Sequence, residues 1–151
     1  MKKHYKITKQ GKKELEIELQ ALVSHRKGVA QKIANARDFG DLSENAEYDV
    51  AREEQGLIET RISEIQDIIL NAEIIKHVNK SKIALGSKVE LKNGKRNVVY
   101  TIVGPVEANP LEGRISNESP IGSALFGKKV GDTIIVETVK GKVEYEILSI
   151  N

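Results

Sequence analysis

From Leu15 onward the apolar positions recur at alternating spacings of four and three: Leu15, Leu19, Leu22, then Val29, Ile33 and Ala36, with only Arg26 breaking the stripe. That is the heptad signature of a helix with a narrow apolar seam. After a glycine-containing break the same alternation returns as Tyr48, Ala51, Gln55, Ile58, Ile62, Ile65 and Ile69. The two stripes mirror each other about Leu42. Pairing Leu15 with Ile69, Leu19 with Ile65, and so on to Ala36 with Tyr48 gives residue numbers that always sum to 84. One antiparallel helical hairpin folding at Leu42 satisfies every level. Arms of about 30 residues, at 1.5 Å per residue, make it roughly 45 Å long, the form of a probe or lever. Gly28 and Gly56 fall on the same level, and each costs about 1 kcal/mol in a helix relative to Ala. A close approach or a bend is expected there.

Beyond Ile75 the period changes. The polar segment "HVNKSK" is a linker, and "SKVELKNGKRNVVYTIVG" alternates β-branched and polar residues about Asn93-Gly94, a two-residue hairpin signal. A second hairpin, "TIIVETVKGKVEYEILSI", is expected to turn at Lys140-Gly141. Between them Ser119 fits an N-cap, Pro120 a first helical position and Gly127 a helix end. The fold class is therefore α+β. An N-terminal coiled-coil hairpin occupies 1–76 with its tip at 38–44, a linker 77–80, and an antiparallel sheet domain with a short helix 81–151.

Charge divides the chain more sharply than its formal net value of +2 suggests. Residues 1–35 carry nine Lys/Arg against three Glu, whereas Ala36–Gln55 carries seven Asp/Glu against two Arg. A basic arm of this kind is either a solvated helix face or a surface for an anionic partner. The acidic segment would repel nucleic acid. The absence of cysteine excludes disulfides and thiolate metal sites, and with only His4, His25 and His77, scattered without ligand spacing, a zinc enzyme is not expected. No apolar run approaches the roughly 18 residues of a membrane span, and "MKKHYKITKQGKKELE" has no apolar signal core, so a cytoplasmic protein is expected.

The break itself, "ARDFGDLSENAEYDVAREEQ", gathers Asp41 and Glu44 beside Phe39 and Leu42. Asp41-Leu42-Ser43-Glu44 fits a capping box, in which Asp41 accepts from first-turn amides and Glu44 reaches back. Ser43 fits either an N-cap or a water-positioning hydroxyl. The second reading of the two acids is metal binding. Mg²⁺ commonly takes one or two carboxylates and completes its shell from water and phosphates, so Asp41 and Glu44 suffice only if a partner supplies the rest. Arg37 and Arg52 fit either salt bridges within their helices or contacts to phosphate or carboxylate. Tyr48 falls on the seam and is expected to pack.

The segment "DFGDLSENAEYDVAREEQ" resembles the tip signature of the Gre transcript cleavage factors of bacterial RNA polymerase, and "SPIGSALFGKKVGD" resembles the signature of their C-terminal domain. Both occur in the family's order, and with the hairpin and linker they cover essentially the whole chain. The resemblance implies a coiled coil that enters the polymerase secondary channel. It implies a C-terminal FKBP-like domain that docks at the channel entrance. It further implies that Asp41 and Glu44 help hold a second Mg²⁺ at the polymerase's own active centre, so that backtracked RNA is cleaved near its nascent 3′ end. Arg37, Arg52, Ser43 and Phe39 match tip positions expected to contact RNA or polymerase. On this reading the chain is not itself an enzyme, binds no ion stably alone, and works as a monomer. The sparse basic residues around the tip resemble the members that release short RNA fragments.

Two other classes stay open. A channel-binding regulator without cleavage stimulation would share the hairpin but carry an altered tip. A prolyl isomerase or chaperone would need an aromatic pocket, for which the second domain offers Tyr100, Phe126 and Tyr145.

Overall fold

The computed structural model describes residues 4–38, 45–76 and 80–151. The chain divides into two compact units, Met1–His4 with Lys12–Ala72 and Tyr5–Gly11 with Glu73–Asn151. The second unit thus takes in one short segment, Tyr5–Gly11, from the start of the chain.

In the first unit the heptad stripe forms two long helices, α1 (Lys9–Arg37) and α2 (Ala46–Leu70). At 29 and 25 residues they are about 44 and 38 Å long. Val29, Ile33, Ala51, Ile58 and Ile62 form their shared core, with Leu19, Leu22 and Tyr48 packed against it. Tyr48 is therefore a packing residue. Arg26, the break in the stripe, reaches sideways, its Nη2 donating to Glu59 Oε2 at 2.9 Å. Glu18 receives Arg61 through both carboxylate oxygens, at 2.7 and 3.0 Å, on the flank of the seam.

Two expectations for the hairpin need correction. Near the end of α2 the buried residue is Ile68, and Ile69 is only partly covered. Successive helical residues stand about 100° apart, so Ile68 is covered on a different side of α2 from the seam position at Ile69. Gly28 and Gly56 mark no close approach either, because a Cβ built on each meets nothing within 4 Å.

The second unit is built on a five-stranded sheet of β3 (Lys88–Asn93), β4 (Arg96–Val103), β5 (Arg114–Ser116), β6 (Thr133–Thr138) and β7 (Gly141–Ile150). The strand order is β5-β4-β3-β7-β6. Tyr5–Ile7 (β1) and Ala72–Ile74 (β2) make a separate two-stranded ribbon. The sheet is mixed rather than wholly antiparallel, since β5 runs parallel to β4. Two 3-10 turns, Pro105–Glu107 and Pro110–Glu112, carry the chain between those strands. Val89, Leu91, Ile102, Ile134, Val136, Tyr145 and Ile147 face the core. Burial in β7 slips from every second residue to a gap of three, Ile147 to Ile150, where the register with β3 shifts between Glu90 and Leu91. That is a β-bulge.

Both hairpin turns sit one residue away from the dipeptides expected. Asn93 pairs with Arg96, leaving Gly94-Lys95 as the loop, and Thr138 pairs with Gly141, leaving Val139-Lys140. Gly94 has φ +59° in the first loop position, where a II′-type turn places glycine. The short helix α3 (Pro120–Leu125) forms as expected, with Ser119 Oγ accepting from Gly122 N at 3.1 Å and Gly127 at φ +82° beyond its end.

Candidate functional site

α2 begins at Ala46, and its N-cap is Asn45, whose side chain accepts from the Tyr48 N–H at 3.1 Å. The capping-box expectation for Asp41 and Glu44, and the N-cap expectation for Ser43, fall on residues outside those described. An Asn followed by Glu47 and Asp49 in the first turn is itself a good helix-start signal, with a strong cap and two acids favoured by the positive end of the helix dipole. The more conspicuous D-x-x-E upstream obscured it. The same Asn45 donates from Nδ2 to the Ala36 carbonyl at 2.6 Å, so the cap of one arm also grips the last turn of the other. Phe39, Asp41, Leu42, Ser43 and Glu44 lie outside the described residues.

Arg37 closes α1 and is exposed, where a cation is favoured by the negative end of the helix dipole. Arg52, also exposed, donates from Nη1 to Gln55 Oε1 at 2.8 Å. Its partner along the helix is an amide, where a carboxylate was expected. The two arginines thus stand on opposite arms, on either side of residues 38–44.

Behind them an open groove of about 560 Å³ runs along the hairpin, lined by Lys32, Asn35, Ala36, Ala46, Val50 and Glu54 among others. Glu54 anchors its polar side. Its Oε1 lies 2.7 Å from His25 Nε2, and Lys32 Nζ is 3.6 Å from Oε2. The hydrogen bond from His25 is the main cause holding the Glu54 carboxyl below its ordinary range, with Lys32 adding to it. Farther along, the hydrogen bond to Glu18 is the main cause holding the Arg61 guanidinium above its usual pKa.

Among the described residues no cluster of three His, Asp or Glu could hold a metal ion. The donors offered by Asp41 and Glu44 are hard carboxylate oxygens, the type Mg²⁺ takes, and His25 is already engaged with Glu54.

In the second unit, of the three aromatic residues an isomerase pocket would need, Phe126 stands apart from Tyr100 and Tyr145. Tyr145 is buried in the core, where loss of water pushes its hydroxyl pKa up, and Tyr100 packs at the core's edge. Phe126, 45% exposed, lines a groove with Ile74, Ile75, Ala84 and Leu85 that neither tyrosine enters. An aromatic isomerase pocket is not formed by these residues. Among the described residues no helix is long and apolar enough to cross a membrane.

A family model described as "Transcription elongation factor, N-terminal" matches residues 5–74. A second, "Transcription elongation factor, GreA/GreB, C-term", matches residues 78–151. The chain is 46% identical to transcription elongation factor GreA of Bacillus cereus over 154 residues, covering 98% of this chain and 97% of that one. It is 48% identical to the protein of the same name from Halalkalibacterium halodurans, covering 99% and 97%. A solved structure titled as the transcription factor Gfh1 is 30% identical and covers 100% of this chain and 99% of that one, with a TM-score of 0.50. With both halves matched in order and nearly half the residues shared from end to end with named GreA proteins, the chain belongs to the GreA/GreB family of transcription elongation factors.

Proposed function

We propose that this elongation factor inserts its helical hairpin into the secondary channel of bacterial RNA polymerase and stimulates the polymerase's own Mg²⁺-dependent cleavage of backtracked nascent RNA. The observation that carries the reading is Asn45. Because it caps α2, the helix start has its cap without Asp41 or Glu44, as a metal role for those two carboxylates requires. They come with long arms to carry them and an exposed arginine on each side.

In this reading Asp41 and Glu44 hold the ion jointly with polymerase carboxylates. When bound, such an ion neutralises developing charge and lowers the pKa of the attacking water in phosphodiester hydrolysis. Arg37 and Arg52 place guanidinium groups against RNA phosphates or polymerase carboxylates, Ser43 orients water, and Phe39 braces the turn against the channel wall. The C-terminal unit docks at the channel entrance. The factor supplies side chains to another protein's active centre, acts in the cytoplasm as a monomer, and has no hydrolytic centre of its own.

The test is RNA cleavage in stalled elongation complexes, with and without the protein. Wild type should accelerate cleavage and be inert on RNA alone. Asp41→Asn should abolish stimulation while changing stability by less than about 0.5 kcal/mol, the range of substitutions outside any cap or core. A fully active Asp41→Asn protein would sink the metal role. Tight polymerase binding by wild type without faster cleavage would show instead a channel-binding regulator.

A further inference from the structure

The first turn of α1 has the wrong charges for its position. It contains no acidic residue, and Lys9, Lys12 and Lys13 crowd the positive end of the helix dipole. The missing anion comes from far along the chain. Thr8 caps the helix, its Oγ1 accepting from Gly11 N at 3.0 Å. Glu107 then accepts from the Thr8 N–H through Oε1 and from the Thr8 hydroxyl at 2.7 Å through Oε2. The Glu107 side chain is buried, 7% exposed, and lies in the same compact unit as Tyr5–Gly11. Two glycines make room for this arrangement. A Cβ on Gly11 would overlap the Glu107 carboxylate, and one on Gly104 would come within 2.9 Å of the Lys6 carbonyl oxygen. Alanine, the best helix former, fits at position 11 only if the carboxylate of a residue 96 positions away moves.

Resting on the function proposed above, we propose that Glu107 is a positioning residue: its carboxylate clamps the root of α1, and that clamp governs how productively the hairpin tip is presented. The leverage is geometric. In a helix about 44 Å long, each 10° of play at the first turn displaces the far end by about 8 Å. Metal–oxygen contacts tolerate only a few tenths of an ångström around about 2.1 Å. Loosening the root thus costs catalysis without touching the tip or the docking surface.

The experiment uses full-length Glu107→Gln, Glu107→Ala, Gly11→Ala and the Glu107→Ala/Gly11→Ala double variant. Amide hydrogen exchange at Thr8 and at residue 11 should quicken by about tenfold or more in each single variant, since their protection depends on the clamp. In stalled elongation complexes the cleavage rate at saturating factor should fall about fivefold or more, with the half-saturating concentration unchanged within about twofold. The double variant should lose no more than Glu107→Ala alone, because the new methyl fills the space that the carboxylate vacates. Unchanged exchange in Glu107→Gln would overturn the clamp. Faster exchange with an undiminished saturating rate would overturn the positioning role. A wild-type chain that stimulates no cleavage would overturn the positioning role together with the function it rests on, and exchange would still decide whether the clamp exists.

Discussion

Asn45 Nδ2 donates to the Ala36 carbonyl oxygen at 2.6 Å, so the residue that starts α2 also satisfies an orphan acceptor in the last turn of α1. Asn45→Ala removes the cap and the bridge together and should destabilise the protein by about 2 kcal/mol, the upper range for a cap. Asn45→Asp keeps the cap but cannot donate to a carbonyl, and should cost about half as much. Urea denaturation of the three proteins checks both figures.

Gly28 and Gly56 stand in open space on ordinary helical backbone. Gly28→Ala and Gly56→Ala should therefore each stabilise by about 0.5–1 kcal/mol, through propensity and a less flexible unfolded chain. Gly11→Ala should do the reverse, because Glu107 occupies the space its methyl needs. Thermal unfolding monitored by helix circular dichroism distinguishes the signs.

Glu54 offers a titration test. Its carboxyl is lowered chiefly by the His25 hydrogen bond, so the folded state favours the ionised form. The stabilisation is present above the ordinary carboxylate pKa of 4.5 and is lost as pH falls from there through the lowered folded value. His25→Ala should move the Glu54 titration upward and weaken the acid dependence of stability. Carboxyl carbon chemical shifts followed against pH read the first effect. The pair is exposed, so the second is small.

Deleting Leu15–Ala21 together with Ser63–Ile69 removes one heptad from each arm symmetrically and leaves the stripes in phase. The tip should withdraw by about 10 Å at 1.5 Å per residue. Helix content per residue and polymerase binding should be retained, and cleavage stimulation lost. Full activity in this deletion, with an intact helical spectrum, would mean that reach plays no part.

The hairpin was readable from sequence because a heptad is a local, repeating constraint, and its mirror about Leu42 left one fold-back point. What escaped depended on partners distant in the chain or on single-residue register. The burial of Ile68 comes from a side of α2 that the heptad stripe does not describe. The turn at Gly94-Lys95 reflects strand pairing that the Asn-Gly dipeptide alone does not fix. The parallel β5 is only three residues long and is placed by the two 3-10 turns before it. Asn45 was legible as a cap residue but lay beside the louder Asp41–Glu44 pattern. Glu107 gave no local signal at all, since its role depends on Thr8 and Gly11.

The Thr8–Glu107 bonds join residues 99 apart in a chain that is made from its N-terminus. The arms of the hairpin close locally, but the first turn of α1 has no counter-charge until Glu107 has left the ribosome. The earliest-made helix is therefore sealed at its base only after α2 is complete. A chain interrupted before residue 107 carries a helix whose root is open to solvent and proteases, and synthesis of the C-terminal half doubles as the completion signal for the N-terminal one.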